Sequence, residues 1–202
     1  TAQSALTPAE RQEERRALGL AEQSFALLYA SKFQKRKHPD ALIRAAAALA
    51  RDGHPIELVL AGAGDMDEEL RALAAQNPAL KVHFPGFINQ TRLPRLFAAC
   101  DAFSLPSENE PWGLIINEAM CASLPIIASR EIGSVPDLVH DGVNGAVIDA
   151  NDDHSLIAGI QRVIEDWSGP KNMPRASRTL IDNWGYARCM KGLETAATDL
   201  CR

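Results

Sequence analysis

Residues 25–61 read FALLYA-SKFQKRKHP-DALIRAAAALAR-DGHP-IELVLA. An unbroken apolar hexapeptide, a polar loop, an amphipathic dozen and a second apolar hexapeptide make one strand–helix–strand unit. Strands that are apolar on both faces belong in a parallel sheet covered by helices on each side. The same rhythm continues outward. Apolar runs at 80–84, 102–105, 125–128 and 146–148 add four strands to those at 25–30 and 56–61. Helical periodicity at 40–51, 67–76, 93–100, 113–122 and 135–140 fills the gaps, with Gly53, Pro78, Pro125 and Gly142 as punctuation. A helix capped by Asp152 or Asp153 then runs to 167. Alternation of this kind gives a doubly wound parallel α/β sheet of six strands. Before it, Thr7-Pro8-Ala9-Glu10 is a capping box with proline at the first helical position, opening a connector helix that stops at Gly19. The chain therefore divides into a connector at 1–22, the sheet domain at 23–168, and C-terminal helices at 169–202 that follow the Gly169-Pro170 and Pro174 break. The absence of an initiator Met before Thr1 suggests a piece of a longer protein, or Met removal.

Composition narrows the function. In 202 residues, 21 Lys and Arg stand against 26 Asp and Glu, a net charge of −5. A chain of this size buries about 70% of its unfolded surface without staples. An acidic balance argues against nucleic acid as a partner, because phosphate binding along a duplex needs a basic face. No apolar run approaches the roughly 18 residues of a membrane span. The cysteines at 100, 121, 189 and 201 form no C-x-x-C pair, as expected of reduced thiols in the cytoplasm, and the histidines show no metal-ligand spacing.

In a doubly wound sheet, ligands bind where the carboxyl ends of the strands meet helix N-termini. Three loops there carry chemistry. The first, Ser31 to Pro39, puts Lys32, Lys35, Arg36 and Lys37 within six positions. It reads either as a solvated loop or as an anion site, lysines serving as movable point charges for phosphate. The second, Ala61-Gly62-Ala63-Gly64-Asp65, has Asp67 where a dinucleotide fingerprint needs its third glycine. Gly62 and Gly64 instead mark a turn where backbone passes close to a ligand or to a neighbouring loop. Asp65-Met66-Asp67 matches a metal-binding D-x-D pattern only by chance, since it lies at a helix start. The third loop leads from Leu105 through Glu108, Glu110, Pro111, Trp112 and Gly113 into a helix. Amides at Trp112–Leu114 should be free to meet an anion. Glu110 and Glu118, as acceptor-only carboxylates, suit a vicinal diol. They also suit the bland role of favouring a helix start, worth about 0.3–1 kcal/mol each, and Glu108 fits that role better.

Several spaced motifs now form a pattern. Glu110-Pro111-Trp112-Gly113-Leu114-Ile115-Ile116-Asn117-Glu118-Ala119-Met120 resembles the E-x7-E signature of family 4 retaining glycosyltransferases, which have the GT-B architecture of two Rossmann-like domains. Lys32 and Lys37 resemble the paired cations of that family's first loop, Gly62-Ala63-Gly64 its Gly-Asp-Gly, and Phe84-Pro85-Gly86-Phe87-Ile88 its F-x-G-F/Y-V. Gly133-Ser134-Val135-Pro136-Asp137 and Asp141-Gly142-Val143-Asn144-Gly145 are similar to its G-G-x-P-E and D-G-x-N/T-G stretches. The resemblance implies the C-terminal, donor-binding half of such an enzyme. By this likeness the helices at 176–200 return towards an N-terminal acceptor-binding domain, which is not in this chain and which would carry any peripheral membrane association.

Position by position, the resemblance implies that Lys32 and Lys37 hold the diphosphate of a nucleotide-sugar and stabilise the leaving charge, beside the loop residues Ser31, Gly62 and Gly64. It implies that Pro111, Trp112 and the amides of Gly113 and Leu114 hold the same group. Glu110 would grip the transferred sugar and act with the lysines in catalysis, Glu118 would hold the ribose, and Phe87 and Ile88 would edge the base. No metal or other cofactor is called for, because side chains supply the cations. Lys35, Arg36 and His38 are left as mostly solvated. Ser31 and Ser123 stand where the family has glycine, and Ala63 where it often has an acid. Two alternatives stay open: half of a nucleotide-sugar epimerase, and a non-catalytic nucleotide-binding module.

Overall fold

The computed structural model describes residues 6–200, without side chains at 186–189 and 199–200. Thr1 and Cys201 lie outside the described residues, as does the side chain of Cys189. Six parallel strands stand in the order β3 (Lys81–Gly86), β2 (Ile56–Ala61), β1 (Phe25–Ala30), β4 (Ala102–Leu105), β5 (Ile126–Ser129), β6 (Gly145–Ile148). The chain is a Rossmann-like doubly wound α/β fold. Its winding reverses between β1 and β4, and in folds of this kind ligands bind at the carboxyl ends of the strands beside such a reversal. Every residue of β1 and β2 is buried, and Phe25 stands opposite Ile56 through to Ala30 opposite Ala61. These two strands form the centre of a continuous core, since both of their faces are covered by helices.

The helices are α1 (Pro8–Leu18), α2 (Pro39–Arg51), α3 (Asp67–Ala75), α4 (Leu93–Ala99), α5 (Leu114–Cys121), the single turn α6 (Val135–Leu138), α7 (Asp153–Ser168), α8 (Asn172–Asp182) and α9 (Tyr186–Leu200). The Thr7–Glu10 capping box opens α1, and Gly19 closes it in the left-handed region at φ +78°. Arg15 of α1 is fully buried and donates to the carbonyls of Ala21, Ser24 and Ala99 and to Asp101. Arg11 takes the other oxygen of the same carboxylate at 2.6 Å, and Asp101 also accepts from the Ala26 amide at the foot of β1. The leading helix is thereby fixed to the underside of the sheet.

Element ends depart from expectation for local reasons. β3 continues through Pro85 to Gly86 because it is an edge strand, where a residue without an N–H is tolerated. α6 stops after one turn: Asn144 donates to the Leu138 carbonyl and accepts from the His140 amide, replacing the next helical bonds. α8 begins before Pro174, which sits in its first turn and so costs no helical bond. Buried Asp166 caps that helix by accepting from the amides of Asn172 and Met173. α8 packs along α5, and Arg178 donates to the Cys121 carbonyl at the end of α5. Among the described residues no helix is long and apolar enough to cross a membrane.

Candidate functional site

The site is built on the loops that leave β1, β2 and β4. The β1 loop is stitched to the β2 loop by bonds from the Ser31 amide to the Ala61 carbonyl (3.1 Å) and from the Phe33 amide to the Ala63 carbonyl (3.0 Å). Buried Phe33 lies 6.2 Å from the Tyr29 ring, and the Tyr29 hydroxyl donates to the Lys32 carbonyl at 2.8 Å. Burial pushes this phenol's pKa well up, so it stays a donor. A methyl group on Gly62 would lie 2.0 Å from the Ser31 oxygen, and one on Gly64 2.4 Å from the Phe33 oxygen. Of the two partners the sequence left open for these glycines, the structure supplies the neighbouring loop. Asp67 starts α3 and is paired with Arg71, while Met66 between the two aspartates is buried.

A 3-10 turn at Lys35–Lys37 then separates the cations. Lys32, Lys35 and Arg36 are exposed, whereas Lys37 is buried with its Nζ 2.5 Å from a Glu110 carboxylate oxygen. Arg36 approaches the same oxygen at 3.6 Å, and the Ser107 hydroxyl at 3.5 Å. Burial opposes ionisation of Glu110, but the Lys37 hydrogen bond and charge, with Arg36 and Ser107, outweigh it and hold the carboxyl below its usual range. Lys37 and Glu110, which the resemblance assigns to different parts of a ligand, are thus bonded to each other.

His38, expected to be mostly solvated, is not: half-buried, its Nε2 lies 2.9 Å from a Glu108 carboxylate oxygen. The Glu108 amide also donates to the Arg36 carbonyl at 2.8 Å.

The loop from Pro106 to Gly113 is braced from below. The Gly133 amide donates to the Glu110 carbonyl at 2.9 Å, and a methyl on Gly133 would fall 2.0 Å from the Pro111 oxygen. Gly113, at φ +76°, turns the chain into α5. Among the described residues, the amides of Trp112, Gly113 and Leu114 have no hydrogen-bond partner, which helix geometry requires of the last two, the N-cap and first residue of α5. The Trp112 indole donates to Asn117 and lies 6.2 Å from the Trp184 ring, which comes from the junction of α8 and α9. Leu114 and Glu118, one turn apart on α5, are both exposed. Partial desolvation still raises the Glu118 carboxyl. Phe87, just after β3, is 81% exposed, while Ile88 packs on the core; Pro111 is exposed and Ser31 half-buried.

The bonded parts of this site are Lys37, Glu110, His38, Glu108, Arg36 and Ser107. Lys32, on the β1 loop, and Glu118, on α5, are exposed. Tyr29 was missed by sequence reasoning because it hides in an apolar strand, and Trp184 because no local spacing links it to Trp112, far away in the chain.

Residues 10–180 match the family model of the glycosyl transferases group 1. The chain belongs to this family. It is 32% identical over 154 residues to an uncharacterized glycosyltransferase of Methanocaldococcus jannaschii, covering 76% of this chain and 39% of that protein. It is 31% identical over 203 residues to the D-inositol 3-phosphate glycosyltransferase of Thermobifida fusca, covering 96% and 46%. The chain thus spans less than half the length of these relatives. Among solved structures it resembles Anabaena Alr3699/HepE in complex with UDP and glucose, with a TM-score of 0.80, 25% identity, and coverage of 98% of this chain and 53% of that one. The same protein has been solved with UDP-glucose. The chain corresponds to the C-terminal domain of a GT-B glycosyltransferase. Chemically, what this domain presents is a helix start with free amides beside one exposed and one buried lysine, a combination that suits a diphosphate.

Proposed function

We propose that this chain is the donor-binding half of a retaining, metal-independent glycosyltransferase that transfers a sugar from a nucleotide-sugar. One observation carries the reading: the Lys37–Glu110 pair stands against the start of α5, the Glu110 Cγ lying 3.6 Å from where a methyl on Gly113 would sit, beside Gly113 and Leu114 amides that have no partner among the described residues. The complexes of Alr3699/HepE with UDP and UDP-glucose support a nucleoside diphosphate as the ligand. In this reading Lys32, Lys37 and the Gly113 and Leu114 amides bind the diphosphate, with Ser31, Gly62, Gly64, Pro111 and Trp112 shaping the rim. They stabilise the negative charge that grows as the glycosidic bond to phosphate breaks, which is electrostatic catalysis and needs no cofactor. Glu110 accepts from hydroxyls of the transferred sugar and Glu118 from the ribose diol, with Phe87 and Ile88 along the base. Lys37 then exchanges part of its contact with Glu110 for phosphate oxygen. The acceptor comes from an N-terminal domain of the same cytoplasmic protein, which would also provide any peripheral membrane contact. Without that domain the chain binds donor and transfers little.

Calorimetry with UDP, GDP and ADP tests this. A charge-assisted hydrogen bond is worth about 1.5–3 kcal/mol, so Lys37→Ala and Glu118→Ala should each weaken binding by roughly 10- to 150-fold. Lys35→Ala, on an exposed side chain, should change it far less. Unaltered binding in both of the first two variants would overturn the site.

A further inference from the structure

Lys37 is flanked by two residues that one acid holds. The Glu108 amide donates to the Arg36 carbonyl at 2.8 Å, and its carboxylate meets His38 Nε2 at 2.9 Å. The Ser107 hydroxyl adds a weaker bond to the same Arg36 carbonyl at 3.4 Å. The backbone between these anchors is unusual. His38 sits in the left-handed region at φ +49°, ψ +43°, immediately before Pro39 opens α2. A β-carbon makes that conformation costly, and it persists only where the surroundings hold it. The 3-10 turn at Lys35–Lys37, with three residues to a turn, buries Lys37 while Lys35 and Arg36 stay exposed, and the reversal at His38 ends that turn and leads into α2.

We infer that the His38–Glu108 pair is a positioning device for Lys37, clamping the residues on either side of it so that its ammonium is set between Glu110 and the start of α5. This rests on the donor-binding reading and deepens it. A lysine on a flexible stem makes a poor anchor unless its backbone is fixed, and here the β4 loop fixes it. The pair touches no ligand in this account; it acts through Lys37.

The inference opposes simple electrostatics, and that makes it testable. Removing a negative charge beside an anion site should tighten anion binding through the general field. Removing a clamp should loosen it. Binding of UDP to the parent chain, Glu108→Gln, His38→Gln, Lys37→Met and the double variant Glu108→Gln/Lys37→Met would be followed by amide chemical shifts, which also reach weak affinities. Glu108→Gln and His38→Gln should each weaken UDP by roughly 3- to 10-fold, and Glu108→Gln should add no loss once Lys37 is gone. Thermal unfolding of each variant identifies any that is misfolded, and His38→Gln then stands in for Glu108→Gln. Equal or tighter binding by the single variants, or the same fold-loss with and without Lys37, would overturn the clamp. Undiminished binding by Lys37→Met would instead remove the functional reading beneath it.

Discussion

Two glutamates eight positions apart on one motif have opposite electrostatic fates. Burial disfavours the charge on Glu110, but Lys37 and then Arg36 and Ser107 more than compensate, and its carboxyl is held low. Glu118 has desolvation alone, and its carboxyl is raised. The signs follow from linkage. A depressed carboxyl stabilises the fold above the unfolded pKa, and that contribution fades as pH falls through the folded value. A raised one does the reverse, so ionised Glu118 is a cost to the free domain at neutral pH. Glu118→Gln should therefore unfold at least as high as the parent at neutral pH, by differential scanning calorimetry, and lose that relative gain as the solution is acidified through the glutamate range. Such a cost at neutral pH is what the proposed ribose-binding role of Glu118 would entail. Lys37 and Glu110 were each legible in the sequence from their motifs. Their contact was not, because 73 positions separate them and no local spacing encodes it. His38 was equally opaque: a proline after it disfavours the helical backbone that it nonetheless adopts, and the Glu108 side chain it meets lies 70 positions away.

At the scale of elements, the apolar hexapeptides and helical periodicities were enough to place all six strands, because buried parallel strands carry their burial in composition. Element ends were less legible, since side chains far from them decide where they stop: Asn144 for α6, Asp166 for α8. The clearest hidden feature is Arg15. In the run Arg11-Gln12-Glu13-Glu14-Arg15-Arg16 it looks like any solvated charge, yet it is 1% exposed and bound to three carbonyls and Asp101. Breaking a buried ion pair from one side costs about 3–5 kcal/mol. Arg15→Ala should lower stability by that order in urea unfolding, whereas exposed Arg16→Ala should stay within about 0.5 kcal/mol. Equal effects would mean that α1 is not held as the structure describes.

Across the whole molecule, large apolar side chains stand exposed: Phe87 after β3 at 81%, Leu114 at the start of α5 at 70%, Val143 before β6, and Met190 and Leu193 on α9. Single exposed apolar residues are ordinary; Phe87 and Leu114, both assigned to the proposed donor site, agree with a face that a second domain closes. In the proposed reading the topological reversal between β1 and β4 determines where the donor lies, and the loops from β1, β2, β4 and β5 hold one another in place there. The most direct measurement is chemical-shift mapping of the labelled chain titrated with UDP. The amides of Trp112, Gly113 and Leu114 and of the 31–38 loop should move most, and saturably. Shifts concentrated instead along the β3 edge, around Val82 and His83, or no saturable shift at all, would contradict a donor bound at the start of α5.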